Sequence, residues 1–357
     1  MMSSILRIAI AIFLAGTFCA PAAAQRVPPW QALNDEATQL FQQAQYEKSI
    51  EVAKKGYAFV ERVQGTEHPG AALFLNRIAE CYRMQARFEA AESLYEQSLK
   101  ILEKALGPED RRVGLVLTNF GMLRVAQGRH AQAEVLLDRS LAIREREGGT
   151  DVAAMALTLS GLARVYSVRG QEDKAEAALK RGIAISEKAR GPEHTDVARG
   201  LGNLGALYTQ QRRYREAEVT YRRALAIWDK SGQNHPLSAM ALNGLGDLYR
   251  AEERLDDAAA TYKKAIAVVD GSLDRGHPRM AESLAGAASI YAIQQDYEGA
   301  EALYERALEI RQTTLGPNHP ETVHAMEALA EVYYKLKRTA DAEKLEERAL
   351  DIRTRKR

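Results

Sequence analysis

Histidine is the side chain best suited both to metal ligation and to proton transfer near neutral pH, and the sequence holds seven of them. Five, His68, His194, His235, His277 and His319, recur at one equivalent point of a repeating segment, each directly before Pro or Thr. The ligand atoms of one tetrahedral zinc lie about 2.0–2.1 Å from the metal, so residues set a whole unit apart along a stacked chain cannot share an ion. They read instead as caps of the connecting loops. His130 and His324 stand alone, with no cysteine nearby and no HExxH spacing. The two cysteines, Cys19 and Cys81, are too few and too far apart for a disulfide framework. Cys81 lies on an apolar helical stretch, as a small buried hydrophobe or, alternatively, a reactive thiol.

Motifs for nucleophilic or phosphate chemistry are missing. There is no GxSxG elbow, no GxxxxGK[ST] loop and no GxGxxG after a strand. Leu201-Gly202-Asn203-Leu204-Gly205 is glycine-rich, but both glycines fall inside a helical pattern, where close packing is the expected reason. Carboxylates stand beside Lys or Arg, as in Glu301, Glu305, Arg306 and Glu309, which predicts a solvated, ion-paired face. The expectation is a chain with no catalytic constellation, no cofactor and no metal site.

Binding is constrained by charge. Lys plus Arg number 49 and Asp plus Glu 48, a balance that supplies no field to draw the chain onto nucleic acid or anionic lipid. A tyrosine column, Tyr82, Tyr166, Tyr208, Tyr249, Tyr291 and Tyr333, could be imagined as a stacking ladder for bases. Its phase with the small residues described next places it inside a helix pair instead.

Those small residues define the elements. Ala37, Ala79, Gly121, Ala163, Gly205, Gly246, Ala288 and Ala330 recur with steps of 42, 42, 42, 42, 41, 42 and 42. Twelve residues after each comes Ser49, Ala91, Ala133, Ala175, Ala217, Ala258, Ala300 or Ala342, and a third column is apolar: Tyr57, Leu99, Leu141, Ile183, Leu225, Ile266, Leu308 and Leu350. Three columns in phase over eight copies make an internal repeat. Apolar spacing within a unit is helical, as in Leu201, Leu204 and Tyr208 and again in Ala217, Tyr221 and Ala224, so each unit is two helices. Polar turns such as Gln210-Gln211-Arg212-Arg213 divide a pair. Gly-Pro stretches such as Gly191-Pro192-Glu193-His194 divide the units.

The first 24 residues have a different composition: Arg7 precedes an apolar run from Ile8 to Phe18, followed by Ala22-Ala23-Ala24. That is the pattern of a cleavable signal peptide, and the run of 11 is short of the roughly 20 residues a membrane-spanning helix needs. A mature chain starting near Gln25, secreted or periplasmic, is expected, with no membrane span. An uncleaved anchor is the alternative, and lipid attachment at Cys19 is disfavoured by Phe18.

Leu201, Leu204-Gly205, Tyr208, Tyr214, Ala217, Tyr221 and Ala224, with the loop from Leu315 through Gly316, Pro317, Asn318 and His319 to Pro320, resemble the tetratricopeptide repeat, in the 42-residue form of kinesin light chains. The resemblance covers about residues 30 to 355. Departures are Glu36 and Leu40 in the first unit, Glu346 in the last, and Arg124 where other units have Tyr. The resemblance implies an all-α, right-handed superhelix over residues 30–357, with first helices lining the concave side and eight units making roughly one turn. It also implies a non-enzymatic scaffold that binds a protein or peptide segment in its groove. Self-association through the array ends, giving a homo-oligomer, is the alternative. Groove candidates on the first helices are Asn76, Glu80, Arg83, Asn119, Arg164, Arg199, Asn203, Asn243, Asp247 and Arg250, since amides pair with a peptide backbone and Arg with carboxylates. The paired Lys and Asn residues with which some relatives grip a terminal carboxylate are not found here.

Overall fold

Helix breaks fall where glycine and proline place them. In the computed structural model, described for residues 28–354 except 147, 149, 150, 233, 234, 236, 274 and 275, sixteen helices follow one another and no strand occurs among the described residues. They are α1 (Pro29–Gln42), α2 (Tyr46–Gln64), α3 (Pro69–Met84), α4 (Phe88–Leu106), α5 (Arg111–Ala126), α6 (His130–Arg146), α7 (Val152–Val168) and α8 (Glu172–Arg190). The second half comprises α9 (Thr195–Gln210), α10 (Tyr214–Ser231), α11 (Ser238–Ala251), α12 (Leu255–Ser272), α13 (Pro278–Ile293), α14 (Tyr297–Thr314), α15 (Pro320–Lys335) and α16 (Thr339–Thr354). Each odd helix pairs with the even helix after it, and the eight pairs stack in chain order as a right-handed solenoid.

Each unit turns on one left-handed residue. Gly128 and Gly170 fill that place in the third and fourth units, while Ala44, Ala86, Arg212, Glu253, Gln295 and Lys337 adopt it with φ between 55° and 64°. Between units the histidines act as N-caps. The Nδ1 atoms of His68, His194, His277 and His319 accept from the backbone N–H of Gly70, Asp196, Arg279 and Glu321 at 3.0–3.1 Å, and His235 accepts from Leu237 at 3.2 Å. Asp110 does the same for Arg112 at 2.8 Å. The imidazoles substitute for the Asp, Ser or Asn usual at this position.

The small columns clear space for wedges. Tyr221 of α10 is buried between α9 and α11, and a Cβ added at Gly205 or Gly244 would come within 2.8 or 2.4 Å of it. Tyr262 of α12 sits likewise over Gly246 and Gly286, at 2.8 and 2.3 Å. Every second helix thus packs on the first helix of its own unit and on that of the next. In the third column Leu141, Ile183 and Leu308 are buried, whereas Leu350 of the eighth unit is 63% exposed.

The tyrosine column lies at the seams between units, which corrects the placement inside the pair. The hydroxyls of Tyr208, Tyr249 and Tyr333 donate to Glu176, Glu218 and Glu305 on the second helix of the preceding unit, at 2.9, 2.9 and 2.8 Å. Arg213, Arg254 and Arg338 from the following turn lie over the same rings, 4.1–4.2 Å from their centroids. Arg213 holds the Glu176 carboxyl at about 2, well below the usual carboxylate range, with help from Lys180 and Tyr208. Arg124 now has its reason: in the tyrosine position it donates to both Glu92 oxygens, at 2.6 and 2.7 Å, doing with a guanidinium what Tyr does elsewhere. Between the sixth and seventh units Ala259 replaces the glutamate, Asp296 replaces the arginine, and Tyr291 is 40% exposed.

The superhelix also returns on itself. Leu315, in the loop after α14, is buried with the apolar cluster of the first unit, which includes Ala44, Tyr46 and Ile50. Tyr46 lies close enough to Arg279 of α13 to feel its charge, although burial dominates and pushes the phenol up to about 12.

Gly205→Leu should destabilise the fold by about 1–3 kcal/mol through overpacking against Tyr221, read as a lowered denaturation midpoint. Ala259→Glu should do the opposite, adding about 0.5–1.5 kcal/mol by giving Tyr291 an acceptor, and Tyr291→Phe should abolish that gain. Burial and the charges of Arg112 and Arg279 lower the pKa of His68 and of His235. The folded state then binds fewer protons than the unfolded one just below the ordinary imidazole value of about 6.5. Their caps are fully retained above that pH and weaken as it falls. Melting curves between pH 7 and 5 should therefore shift less for His68→Asp/His235→Asp, which keeps both acceptors as Asp110 does, than for the wild type.

Candidate binding groove

The inner face is built from one side of each odd helix, set by counting from the small column. Six residues before it stand Leu73, Leu115, Leu157, Arg199, Met240 and Glu282, because positions at that spacing share the face turned away from the paired helix. One residue after it stand Glu80, Met122, Arg164, Ala206, Asp247 and Ser289. Over α5, α7, α9 and α11 these columns enclose two adjoining clefts of about 460 and 400 Å³, joined through Arg199, Asn203, Ala206 and Met240. Leu157, Val168 and Met240 are exposed there, at 44, 60 and 45%. Gly202 lines the second cleft, and a Cβ at that position would meet nothing within 4 Å. The packing reason holds for Gly205 and fails for Gly202.

The candidate residues divide into two groups. Arg83, Arg164, Arg199, Asn203, Asp247 and Arg250 are exposed or half-buried on the odd helices. Asn76, Asn119 and Asn243 are buried, a correction to the reading of them as groove contacts. Their amides tie first helix to first helix: Asn119 Nδ2 donates to Asn76 Oδ1 at 3.1 Å, and Ser283 Oγ donates to Asn243 Oδ1 at 2.9 Å. Asn203 makes the same kind of bridge to Ser160 at 3.1 Å while still lining the clefts. Glu80 is engaged by Arg77 at 2.9 Å, Arg199 by Asp196 at 2.7 Å, and Asp247 by Arg250 at 3.1 Å and by Tyr262 at 2.7 Å.

Arg164 stands on the wall of the larger cleft with no ion pair among the described residues, and surrounding protein together with Arg83 lowers its pKa. The Nε of Arg83 makes no hydrogen bond among the described residues. At the other end the charge reverses. Glu282 is open to solvent yet ringed by the inner wall, and this surrounding protein, with Asp247 and Glu321, pushes its carboxyl up. Glu331 of α15 continues the acidic end, exposed. The apolar residues Leu115, Leu157, Met122 and Met240 and the acid Glu282 were not among the sequence candidates, although the count from the small column would have found them.

Cys81 is fully buried, and burial raises its thiol to about 11. Among the described residues no three of His, Cys, Asp and Glu are grouped to hold a metal, and no helix is long and apolar enough to cross a membrane.

No curated protein matches the sequence. Among solved structures, BtubC (BKLC) from P. vanneervenii is similar at 24% identity, covering 66% of this chain and 94% of that one with a TM-score of 0.51. The nearly identical TPR-like repeats of a kinesin light chain from Podosopora anserina match at 24% identity, over 56% of this chain and 94% of that one, with a TM-score of 0.47. The tetratricopeptide repeat model matches residues 31–104, 112–188, 156–230, 196–270 and 279–355. With eight stacked helical hairpins and small residues at every crossing, the chain belongs to the tetratricopeptide-repeat family.

Proposed function

We propose that this chain is a non-enzymatic scaffold that holds a segment of another protein against the inner face of its superhelix, in the cell envelope or outside the cell. The observation that carries the reading is the pair of joined clefts over α5, α7, α9 and α11, where exposed Leu157, Val168 and Met240 sit beside Arg164 and Arg199. An apolar surface of this kind, rimmed by polar groups, is what a partner covers. A native chain gains nothing in stability by leaving it bare. The near-neutral charge favours a polypeptide over a polyanion. The envelope assignment rests on the leader-like composition of residues 1–24, which lie outside the described residues.

Affinity capture from envelope extract with the wild type and with Leu157→Asp/Arg164→Glu tests the groove. Proteins retained by the first should be lost from the second, while an identical set on both would place binding elsewhere. Cell fractionation with N-terminal sequencing tests the location: a mature end near Gln25 in the extracytoplasmic fraction is expected, and an intact Met1 in the cytoplasm would refute it.

A further inference from the structure

The closure between the first and seventh units is made by residues that depart from the repeat. Leu315 stands directly before the glycine of an inter-unit loop and is buried, whereas Gln64, Arg190 and Ser231 at the same place are exposed and Leu106 is half-buried. The cluster that receives it departs in the same way. Ala44 is buried in the left-handed turn position, where Arg212, Glu253, Gln295 and Lys337 are exposed. Tyr46 is buried where Phe88, Tyr214, Leu255 and Tyr297 are half-buried. Ile50 is buried where other units carry the half-buried glutamates Glu92, Glu134, Glu176, Glu218 and Glu301. The rim of the first unit is an apolar socket, and Leu315 is the knob that fills it.

This closure is slight beside the seams. No helix of the first unit packs along a helix of the seventh, as helices of successive units do, so little more than one leucine side chain leaves water there. A second weakness lies next to it. From the second unit to the sixth, each seam carries a rim ion pair: Arg129 with Glu92, Arg169 with Glu134, Arg213 with Glu176 and Arg254 with Glu218. Arg338 and Glu301 join the seventh unit to the eighth in the same manner. At the seam between the sixth and seventh units Ala259 and Asp296 replace both partners. What remains is the Tyr262 wedge over Gly246 and Gly286 and, on the inner side, the bond from Ser283 to Asn243 at 2.9 Å. Apolar contact is non-directional and tolerates rotation about such a point.

We propose that the seventh and eighth units are a swinging arm, hinged at the seam with the sixth and caught by Leu315 in the socket of the first, and that release of this catch controls access to the lumen. The arm and its catch stand on the closure alone; only the purpose of the access rests on the groove reading above.

Spin labels on the full chain, in a Cys19→Ser/Cys81→Ala background, test the motion by pulsed electron resonance. Lys54→Cys/Glu309→Cys spans the closure and Glu89→Cys/Arg215→Cys lies within the second to fifth units, all at exposed positions. The closure pair should give one narrow distance in the parent and a broad, longer distribution after Leu315→Asp. Ala44→Lys should do the same from the other side, and the eighth unit shows with Lys337 that this turn accepts a lysine. The inner pair should not change, and adding Ala259→Glu/Asp296→Arg to Leu315→Asp should narrow the closure pair again. Access is read at Leu157→Cys, as its rate with a maleimide on a bulky polyethylene glycol relative to N-ethylmaleimide. A minor open state populated at 10% or less becomes dominant when the catch is lost, so this ratio should rise by about tenfold or more. A closure pair that is broad in the parent, or unmoved by both catch variants, would overturn the catch. Equal broadening of the inner pair, or no narrowing on rebuilding the ion pair, would overturn the hinge. Altered distances with an unchanged maleimide ratio would overturn the control of access.

Discussion

A bulky side chain on a second helix, wedged over residues with little or no side chain on the two first helices beside it, is the contact from which the rest follows. Tyr221 over Gly205 and Gly244, and Tyr262 over Gly246 and Gly286, each join a helix pair to its successor as well as closing the pair itself. One hairpin would leave half of such a ring in water. Burial of that surface needs the neighbouring copy, so hairpin and stack are one structure at two scales.

Polar groups then fix how the wedged units are rotated against one another. Amides and hydroxyls bridge the inner helices between Asn76 and Asn119, Ser160 and Asn203, and Asn243 and Ser283. At the outer edge, tyrosine or Arg124 meets a glutamate from the preceding unit. At the seams between the second and third and between the fourth and fifth units both kinds of directional bond are present and hold the angle, which non-directional apolar contact alone does not set. That angle, repeated, makes the curvature of the groove.

The fold was almost wholly legible in the sequence because a repeat reports each contact eight times. The small columns, the glycine caps and the histidine caps all sit where spacing places them. Less legible was which side of an odd helix a polar residue takes. Asn76 and Asn243 fall two turns of reasoning away from a partner that only the neighbouring unit supplies, and an asparagine suits a buried bridge as well as a bound peptide. The tyrosine column is ambiguous for the same reason: a phenol has an apolar body that fits within the pair and a hydroxyl that reaches the next seam. In sequence Leu157 and Met240 of the apolar floor are indistinguishable from core residues, and only the curvature turns them outward.

Repeat arrays are commonly treated as strings whose terminal units peel away first, each having a single neighbour. Here Leu315 lies in the apolar cluster of the first unit, so that unit is held by the second and by the seventh. Opening of the first unit then has to break contacts with two units at once, one adjacent in sequence and one six repeats away.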